Sequence, residues 1–173
     1  HYEPNYVQDA SYHNGIVWTW LAGAWIDVAT SYRLSDLAFK VTNTMVDQML
    51  DRGAVGTISE LLDAAPRRGE TEPRLSGTFS QAWSLAEFVR VFYQDYLGIR
   101  VDAPGKRLTL SPRLPSSMHQ TRSTIAVGHA HVDVTYDVSK DRVVATLLSG
   151  NTPDTLTVTL DDILDGVGRQ ISA

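Results

Sequence analysis

The chain has 173 residues, of which 43% are hydrophobic and 20% are charged, a composition typical of a folded globular protein. Its net charge of −5 and the lack of any run of Lys and Arg argue against nucleic acid or an anionic membrane as a partner. The absence of cysteine excludes disulfides, thiolate metal sites and cysteine nucleophiles. The sequence also contains no run of about eighteen apolar residues, the length that a membrane-spanning helix needs.

The first residues, His1-Tyr2-Glu3-Pro4, contain neither an initiator Met nor a signal-like apolar segment. We therefore expect the chain to begin inside a longer protein. The lack of cysteine favours a cytoplasmic location.

The next segment has the periodicity of a helix with two apolar faces. One face consists of Trp18, Leu21, Ala22, Trp25, Ile26, Ala29 and Tyr32, and the other of Val17, Trp20, Ala24 and Val28. A helix of this kind should be buried on both sides, as in the inner ring of a helical toroid. If the rest of such a ring is missing, an exposed apolar patch should remain, and the chain should self-associate or be only part of a longer protein.

Two further helices are predicted. One runs from Ser35 to about Arg52 and is stopped by Gly53, and the other runs from about Gln81 to Leu97 before Gly98. Residues 53–80, with four Gly and two Pro, form a long predicted loop, and a loop of that length is usually functional.

Beyond residue 100 the apolar residues alternate, which indicates β-strands. After a turn at Asp102-Ala103-Pro104-Gly105, short strands are predicted near residues 107–110, 123–127, 129–136, 142–148 and 155–160. Strands of this length and spacing predict a small antiparallel sandwich or barrel.

The residues at the start of the first helix have the chemistry that sugars require. His13, Asn14, Trp18 and Trp20 combine an imidazole, an amide and two indoles, which can bind hydroxyl edges and C–H faces. In the alternative interpretation the tryptophans are core residues and His13-Asn14 only cap the helix.

A second group of polar candidates follows in the loop and at the third helix. Glu60 could serve one of the two carboxylate roles in acetal hydrolysis, or could be a solvated loop residue. Gln81 and Trp83 again set an amide and an indole at a helix start, where capping and core packing are the alternatives. Glu87 and Arg90 have the spacing of an exposed ion pair.

In the second half, His129, His131 and Asp133 are expected on one face of a strand. Because no further ligand accompanies them, we predict no metal site, and we expect no cofactor.

The order and spacing of several motifs resemble the C-terminal part of bacterial glycogen-debranching (amylo-α-1,6-glucosidase) proteins. The motifs are Ser11-Tyr12-His13-Asn14-Gly15 with Val17-Trp18, Gly56 to Glu60, Gln81-Ala82-Trp83-Ser84 with Ala86-Glu87, and the junction from Leu97-Gly98-Ile99 to Leu114-Pro115. The chain departs from the family pattern at Ile16 and Thr19, near Ala24-Trp25, and in residues 75–80, where the family has a Pro-Arg-Gly sequence. These departures bear on the substrate subsite more than on the fold.

The resemblance implies an α+β protein in which the last helical hairpins of an (α/α)6 toroid, residues 1–100, precede a C-terminal antiparallel β-sandwich, residues 101–173. It also implies an inverting glycosidase in which Glu60 is the general base and the acid is an Asp upstream of this sequence. His13, Asn14, Trp18, Gln81 and Trp83 match positions that line or support the sugar pocket.

The predicted function is therefore that of a fragment of a glycoside hydrolase acting on α-glucans, inactive without its missing acid. The expected partners are an oligosaccharide and the remainder of the parent protein. Two alternatives remain open: a non-catalytic carbohydrate-binding or scaffold module, and a rhamnosidase-like or trehalase-like hydrolase.

Overall fold

The computed structural model describes residues 8–118, 120–137, 142–149, 156–160 and 169–172, and it is an α+β structure. The chain divides into two compact units. The first contains His1–Ala29 and Leu37–Val91, and the second contains Thr30–Asp36 and Phe92–Ala173.

The first unit begins with helix α1 (Gln8–His13), strand β1 (Ile16–Trp18) and helix α2 (Leu21–Ser31). The prediction that the helix already includes Trp18 is therefore wrong. Ile16, Val17 and Trp18 are β-branched or aromatic residues that suit a strand, and they pair with a strand distant in sequence.

The segment predicted as a loop, residues 53–80, contains strands β2 (Leu61–Asp63) and β3 (Leu75–Ser76). These complete an antiparallel sheet of order β1-β2-β3, in which Trp18 is opposite Leu61 and Leu61 is opposite Ser76. Each strand is too short to show a recognisable alternation, which is why the sequence pattern did not reveal them.

The other two predicted helices are present. Helix α3 (Ser35–Asp51) ends just before Gly53, as predicted. Helix α4 (Ala82–Arg90) continues into a π-helical turn (Val91–Tyr96), so the predicted helix over residues 81–97 is present with a change of hydrogen-bonding pattern in its second part.

Helix α2 is buried on only one side. Ile26 and Ala29 are buried, whereas Leu21, Trp25 and Val28 are 46%, 42% and 56% exposed. The prediction of burial on two faces is thus wrong for this structure: Leu21 and Trp25 of the first predicted face and Val28 of the second form an exposed apolar stripe. None of the helices that the structure describes has both the length and the apolar character needed to cross a bilayer.

The second unit contains two sheets. One joins β4 (Ile99–Asp102), β5 (Arg107–Leu110) and β9 (Thr157–Leu160), and the other has the order β10-β8-β7-β6, formed by Arg169–Ser172, Arg142–Ser149, Ala130–Asp137 and Gln120–Val127. Most pairings are antiparallel, as predicted, but β5 with β9 and β8 with β10 run parallel. Strands β4 and β10 were not predicted.

One apolar cluster serves both sheets of this unit. Its buried members are Leu97, Ile99, Leu108, Leu110, Ile125, Val127, Val132, Val134 and Tyr136. They occupy alternate positions of β5 and of β6, as the period of two in the sequence indicates.

The histidine-rich strand does not match its prediction. His129 lies in the turn before β7, and a bulge between His131 and Val132 separates exposed His131 from buried Asp133. Asp133 instead accepts hydrogen bonds from Arg122 and from Thr124, the latter at 2.6 Å. Across the described ranges, no three His, Cys, Asp or Glu side chains are grouped so that they could hold a metal ion.

The buried hydroxyl of Tyr136 donates a hydrogen bond of 3.1 Å to the carbonyl of Leu97. We expect Tyr136→Phe to lower the free energy of unfolding by about 1–2 kcal/mol, because the carbonyl loses its partner in a buried place. Urea unfolding followed by far-UV circular dichroism measures this change. Tyr93→Phe, at a residue that is half exposed, is the matched control and should stay within about 0.5 kcal/mol of wild type; equal effects would contradict the assignment.

Candidate active site

Glu60 lies immediately before β2, where the sheet of the first unit holds its backbone on both sides. The Glu60 amide donates to the carbonyl of Thr78 at 2.8 Å, and the Thr19 amide donates to the carbonyl of Glu60 at 3.1 Å. The hydrogen bonding of the three-stranded sheet therefore continues past the ends of its strands and fixes the direction of the Glu60 side chain.

Glu60 is a buried residue, 8% exposed, and each oxygen of its carboxylate accepts a hydrogen bond. Oε1 accepts from the Tyr12 hydroxyl at 2.5 Å, and Oε2 accepts from the Thr78 backbone amide at 3.0 Å. The bond from Tyr12, and after it the bond from Thr78, hold the pKa of the Glu60 carboxyl below its ordinary value of 4.5, although burial acts in the opposite direction. Glu60 is therefore ionised at neutral pH, as a base must be and an acid must not be.

The backbone at Gly77 lies close to the side chain of Glu60. Gly77 has φ of 70°, and a Cβ atom built on it would lie 2.6 Å from Glu60 Oε2 and 3.0 Å from Glu60 Cβ. A side chain at this position would collide with the carboxylate and would also strain the backbone.

Tyr12 is in turn held by Trp18. The indole Nε1 donates to the Tyr12 carbonyl at 3.1 Å, and the two rings meet edge to face with centroids 4.8 Å apart. Tyr12 is thus fixed at both its backbone and its ring, and these contacts hold its hydroxyl against Glu60.

Aromatic rings extend from Tyr12 to the start of α4. The His13 ring stacks on Trp18 with centroids 6.1 Å apart, Trp18 lies 6.2 Å from Trp83, and Trp83 lies 6.3 Å from Trp20. Trp83 is half exposed. The structure thereby brings together three predicted site residues, His13, Trp18 and Trp83, from segments about 65 residues apart in the chain.

A buried hydroxyl cluster joins the same segments beneath the aromatic rings. Thr19 Oγ1 lies 2.8 Å from Ser84 Oγ and donates to the carbonyl of Ser59. Because these residues neighbour Trp18, Trp83 and Glu60 in sequence, the cluster fixes the spacing between the two indoles and the carboxylate.

The hydrogen bonds of the two predicted amide residues, Asn14 and Gln81, are made with other residues than Glu60. The Asn14 side chain donates to the carbonyl of Ala10 at 3.1 Å, at the C-terminal end of α1 rather than at the start of the following helix, where the capping interpretation places it. Gln81 is the N-cap residue of α4, and its backbone amide donates to Ile58 at 3.0 Å. Glu87 and Arg90 form the predicted ion pair, at 2.9 Å, but it is half-buried and Arg90 also donates to the Gly23 carbonyl of α2.

Tyr12 is the residue that sequence reasoning missed. Its position next to His13 in the Ser11–Gly15 motif was the available signal, but nothing local indicates a partner 48 residues away.

Comparison with known proteins supports an origin among glycosidases. Residues 1–90, just over half of the chain, match the family model for amylo-alpha-1,6-glucosidase. No curated protein matches the chain significantly.

Gly77 gives a direct test of how Glu60 is held. Gly56 also has a positive φ, of 78°, but a Cβ there would meet nothing within 4 Å. We expect Gly56→Ala to lower the free energy of unfolding by about 1–2 kcal/mol through backbone strain and Gly77→Ala by about 1–3 kcal/mol more through the clash with Glu60 and Leu61. Chemical denaturation of both variants measures the difference, and similar losses would mean that the approach of Gly77 to Glu60 is not tight.

Proposed function

Because the chain belongs to the amylo-alpha-1,6-glucosidase family, we propose that it is part of a glycoside hydrolase acting on α-glucans, with Glu60 as the general base of an inverting reaction. The observation that carries this proposal is the ionised, oriented carboxylate of Glu60 beside a set of aromatic side chains that suits a sugar ring.

The carboxylate retains capacity for a catalytic water. Its two oxygens together can accept about four hydrogen bonds, and the Tyr12 hydroxyl with the amide and hydroxyl of Thr78 leaves at least one of these positions for water. In the proposed reaction Glu60 removes a proton from a water molecule while the water oxygen attacks the anomeric carbon. The glycosidic C–O bond breaks, and a second carboxyl group donates its proton to the leaving oxygen.

We place this second carboxyl group outside the described part of the first unit, on an Asp upstream of the sequence. Three carboxylates that follow Glu60 in this unit, Asp63, Glu70 and Glu87, form ion pairs with Arg67, Arg74 and Arg90 respectively. The hydrogen bond from Arg74 holds the pKa of the Glu70 carboxyl below its ordinary value, which is unsuited to an acid that must hold its proton.

The aromatic residues are proposed to bind the sugar. Trp83 offers an exposed indole face for C–H packing, and His13 stacked on Trp18 offers a ring nitrogen for a hydroxyl group. Asn14 and Gln81 are proposed to support this wall, because the Asn14 side chain bonds to the C-terminal end of α1 and Gln81 occupies the N-cap position of α4.

We further propose that the helices of the first unit are the last hairpins of an (α/α)6 toroid, and that the second unit is its β-sandwich. The exposed stripe of Leu21, Trp25 and Val28 supports this arrangement, because such a surface is normally covered. In the parent protein the remaining helices would cover it, and in the isolated chain self-association would do so. A cytoplasmic location remains part of the proposal.

Burial of the carboxylate favours a second candidate, a non-catalytic carbohydrate-binding module. Glu60 is only 8% exposed, whereas Trp83 is half exposed, so sugar could bind the indole without reaching the carboxylate. Titration with maltooligosaccharides, followed by tryptophan fluorescence, separates the two candidates. A module keeps its affinity in Glu60→Ala, and its full-length parent shows no glucosidase activity.

The catalytic proposal is tested by Glu60→Gln in the full-length protein. We expect kcat to fall by about 10²- to 10⁴-fold, because the amide cannot take the proton of the water, with KM nearly unchanged. Release of glucose from a branched dextrin gives the rate, and NMR should show the β-anomer as the first product.

Glu70→Gln is the matched control. It removes a carboxylate that is paired with Arg74, and kcat should remain close to that of wild type. An unchanged rate in Glu60→Gln would refute the role of Glu60 as base.

A further inference from the structure

Tyr12 makes a shorter hydrogen bond to the proposed base than the backbone amide of Thr78 does. Its hydroxyl donates to Glu60 Oε1 at 2.5 Å, whereas the backbone amide of Thr78 donates to Oε2 at 3.0 Å and the Thr78 hydroxyl makes a weaker contribution to the same carboxylate. We propose that Tyr12 is a positioning residue, which holds the Glu60 carboxylate in one orientation and extends activity to lower pH. The inference rests on the proposed role of Glu60 as base.

Geometry restricts the carboxylate to a single setting. Tyr12 of α1 donates a hydrogen bond to Oε1, and the Thr78 amide, in the segment after β3, donates one to Oε2. The backbone of Gly77 lies close beside Oε2. Rotation of the carboxylate would break both hydrogen bonds, so its remaining lone pairs point in fixed directions. A base held in this way meets its water without a search over rotamers, which is worth a large factor in rate.

Trp18 fixes the position of Tyr12 in turn. The indole bonds to the Tyr12 backbone and packs against its ring, as described above. His13 also meets the Tyr12 ring edge to face, with centroids 5.0 Å apart. Two rings therefore pack against the half-buried ring of Tyr12 and restrict the movement of its hydroxyl away from Glu60.

Among the groups around Glu60, the Tyr12 hydroxyl has the largest effect on the pKa of the Glu60 carboxyl. The groups that alter the pKa of Glu60 are the Tyr12 hydroxyl and the amide and hydroxyl of Thr78, all of which lower it, together with burial, which raises it. Charged residues on neighbouring elements are occupied elsewhere: Asp63 at the far end of β2 pairs with Arg67, and Glu87 on α4 pairs with Arg90. His13 is the imidazole on the same element as Tyr12, and its ring meets the ring of Tyr12.

Tyr12 also remains a donor throughout the working pH range. The hydrogen bond to Glu60 raises the pKa of the Tyr12 phenol, with smaller contributions from burial and from the Glu60 charge. The phenol therefore keeps its proton at neutral and acidic pH, where the carboxylate of Glu60 needs it.

The first experiment needs no catalysis. The side-chain carboxyl of Glu60 is followed by ¹³C NMR against pH in the 173-residue chain, as wild type and as Tyr12→Phe. We expect the midpoint of the Glu60 titration to move to higher pH in the variant, because loss of the donor destabilises the ionised form. An unchanged midpoint would overturn the inference whatever the enzyme's activity.

The second experiment uses the full-length enzyme. Tyr12→Phe should lower kcat by about 10- to 100-fold with little change in KM, and the acid limb of the pH profile of kcat/KM should shift to higher pH. Tyr93→Phe, at an exposed tyrosine of the second unit, should change neither quantity. A rise in KM with unchanged kcat and an unshifted acid limb would instead identify Tyr12 as a sugar contact and refute the positioning role.

Trp18→Phe tests the same inference with Tyr12 left in place, which keeps the test valid if Tyr12→Phe does not fold. It keeps a ring against Tyr12 but removes the indole N–H that bonds to the Tyr12 backbone. We expect a shift of the Glu60 midpoint in the same direction as in Tyr12→Phe, and smaller; no shift would count against the inference. Failure of Glu60→Gln to reduce the rate would refute the proposed base, while a null result in the NMR titrations would refute only the role of Tyr12.

Discussion

The antiparallel pairing of β1, β2 and β3 is the constraint on which the candidate site depends. It places Trp18 opposite Leu61 and Leu61 opposite Ser76, so that Thr19, Glu60 and Thr78 meet just beyond the ends of the strands. A shift of one residue in this register would turn the side chain of Glu60 to the opposite face of the sheet, away from Tyr12. Short strands therefore have a large effect here, since they join three segments that are far apart in the chain.

Glu60 combines two opposing requirements. Burial raises the free energy of a charged carboxylate, whereas the hydrogen bonds from Tyr12 and Thr78 lower it, and the lowered pKa shows that the hydrogen bonds have the larger effect. Ion pairing with arginine would also stabilise the charge, as Arg74 does for Glu70. Neutral donors instead leave the carboxylate free of a competing cation, which suits a group that must accept a proton from water.

Much of the fold follows from periodicity alone. Helix α3 and strands β6, β7 and β8 lie within a few residues of their predicted bounds, because each is long enough to show its own repeat. Strands β1, β2 and β3 have two or three residues, too few for a repeat, and β1 was absorbed into the helical pattern that follows it. The parallel pairing of β5 with β9 was also beyond reach, since alternation does not reveal the direction of a neighbouring strand.

The sequence by itself determined which side chains are available for chemistry: Glu60 in a long loop, indoles at Trp18 and Trp83, and a motif order typical of amylo-α-1,6-glucosidases. Only the tertiary structure decided which of them meet. Tyr12 and Glu60 are 48 positions apart, and Thr19 and Ser84 are 65 apart. No local rule encodes such pairs, because they arise from sheet register and side-chain packing between distant segments, whereas residue type and spacing report only on the chain's own neighbourhood.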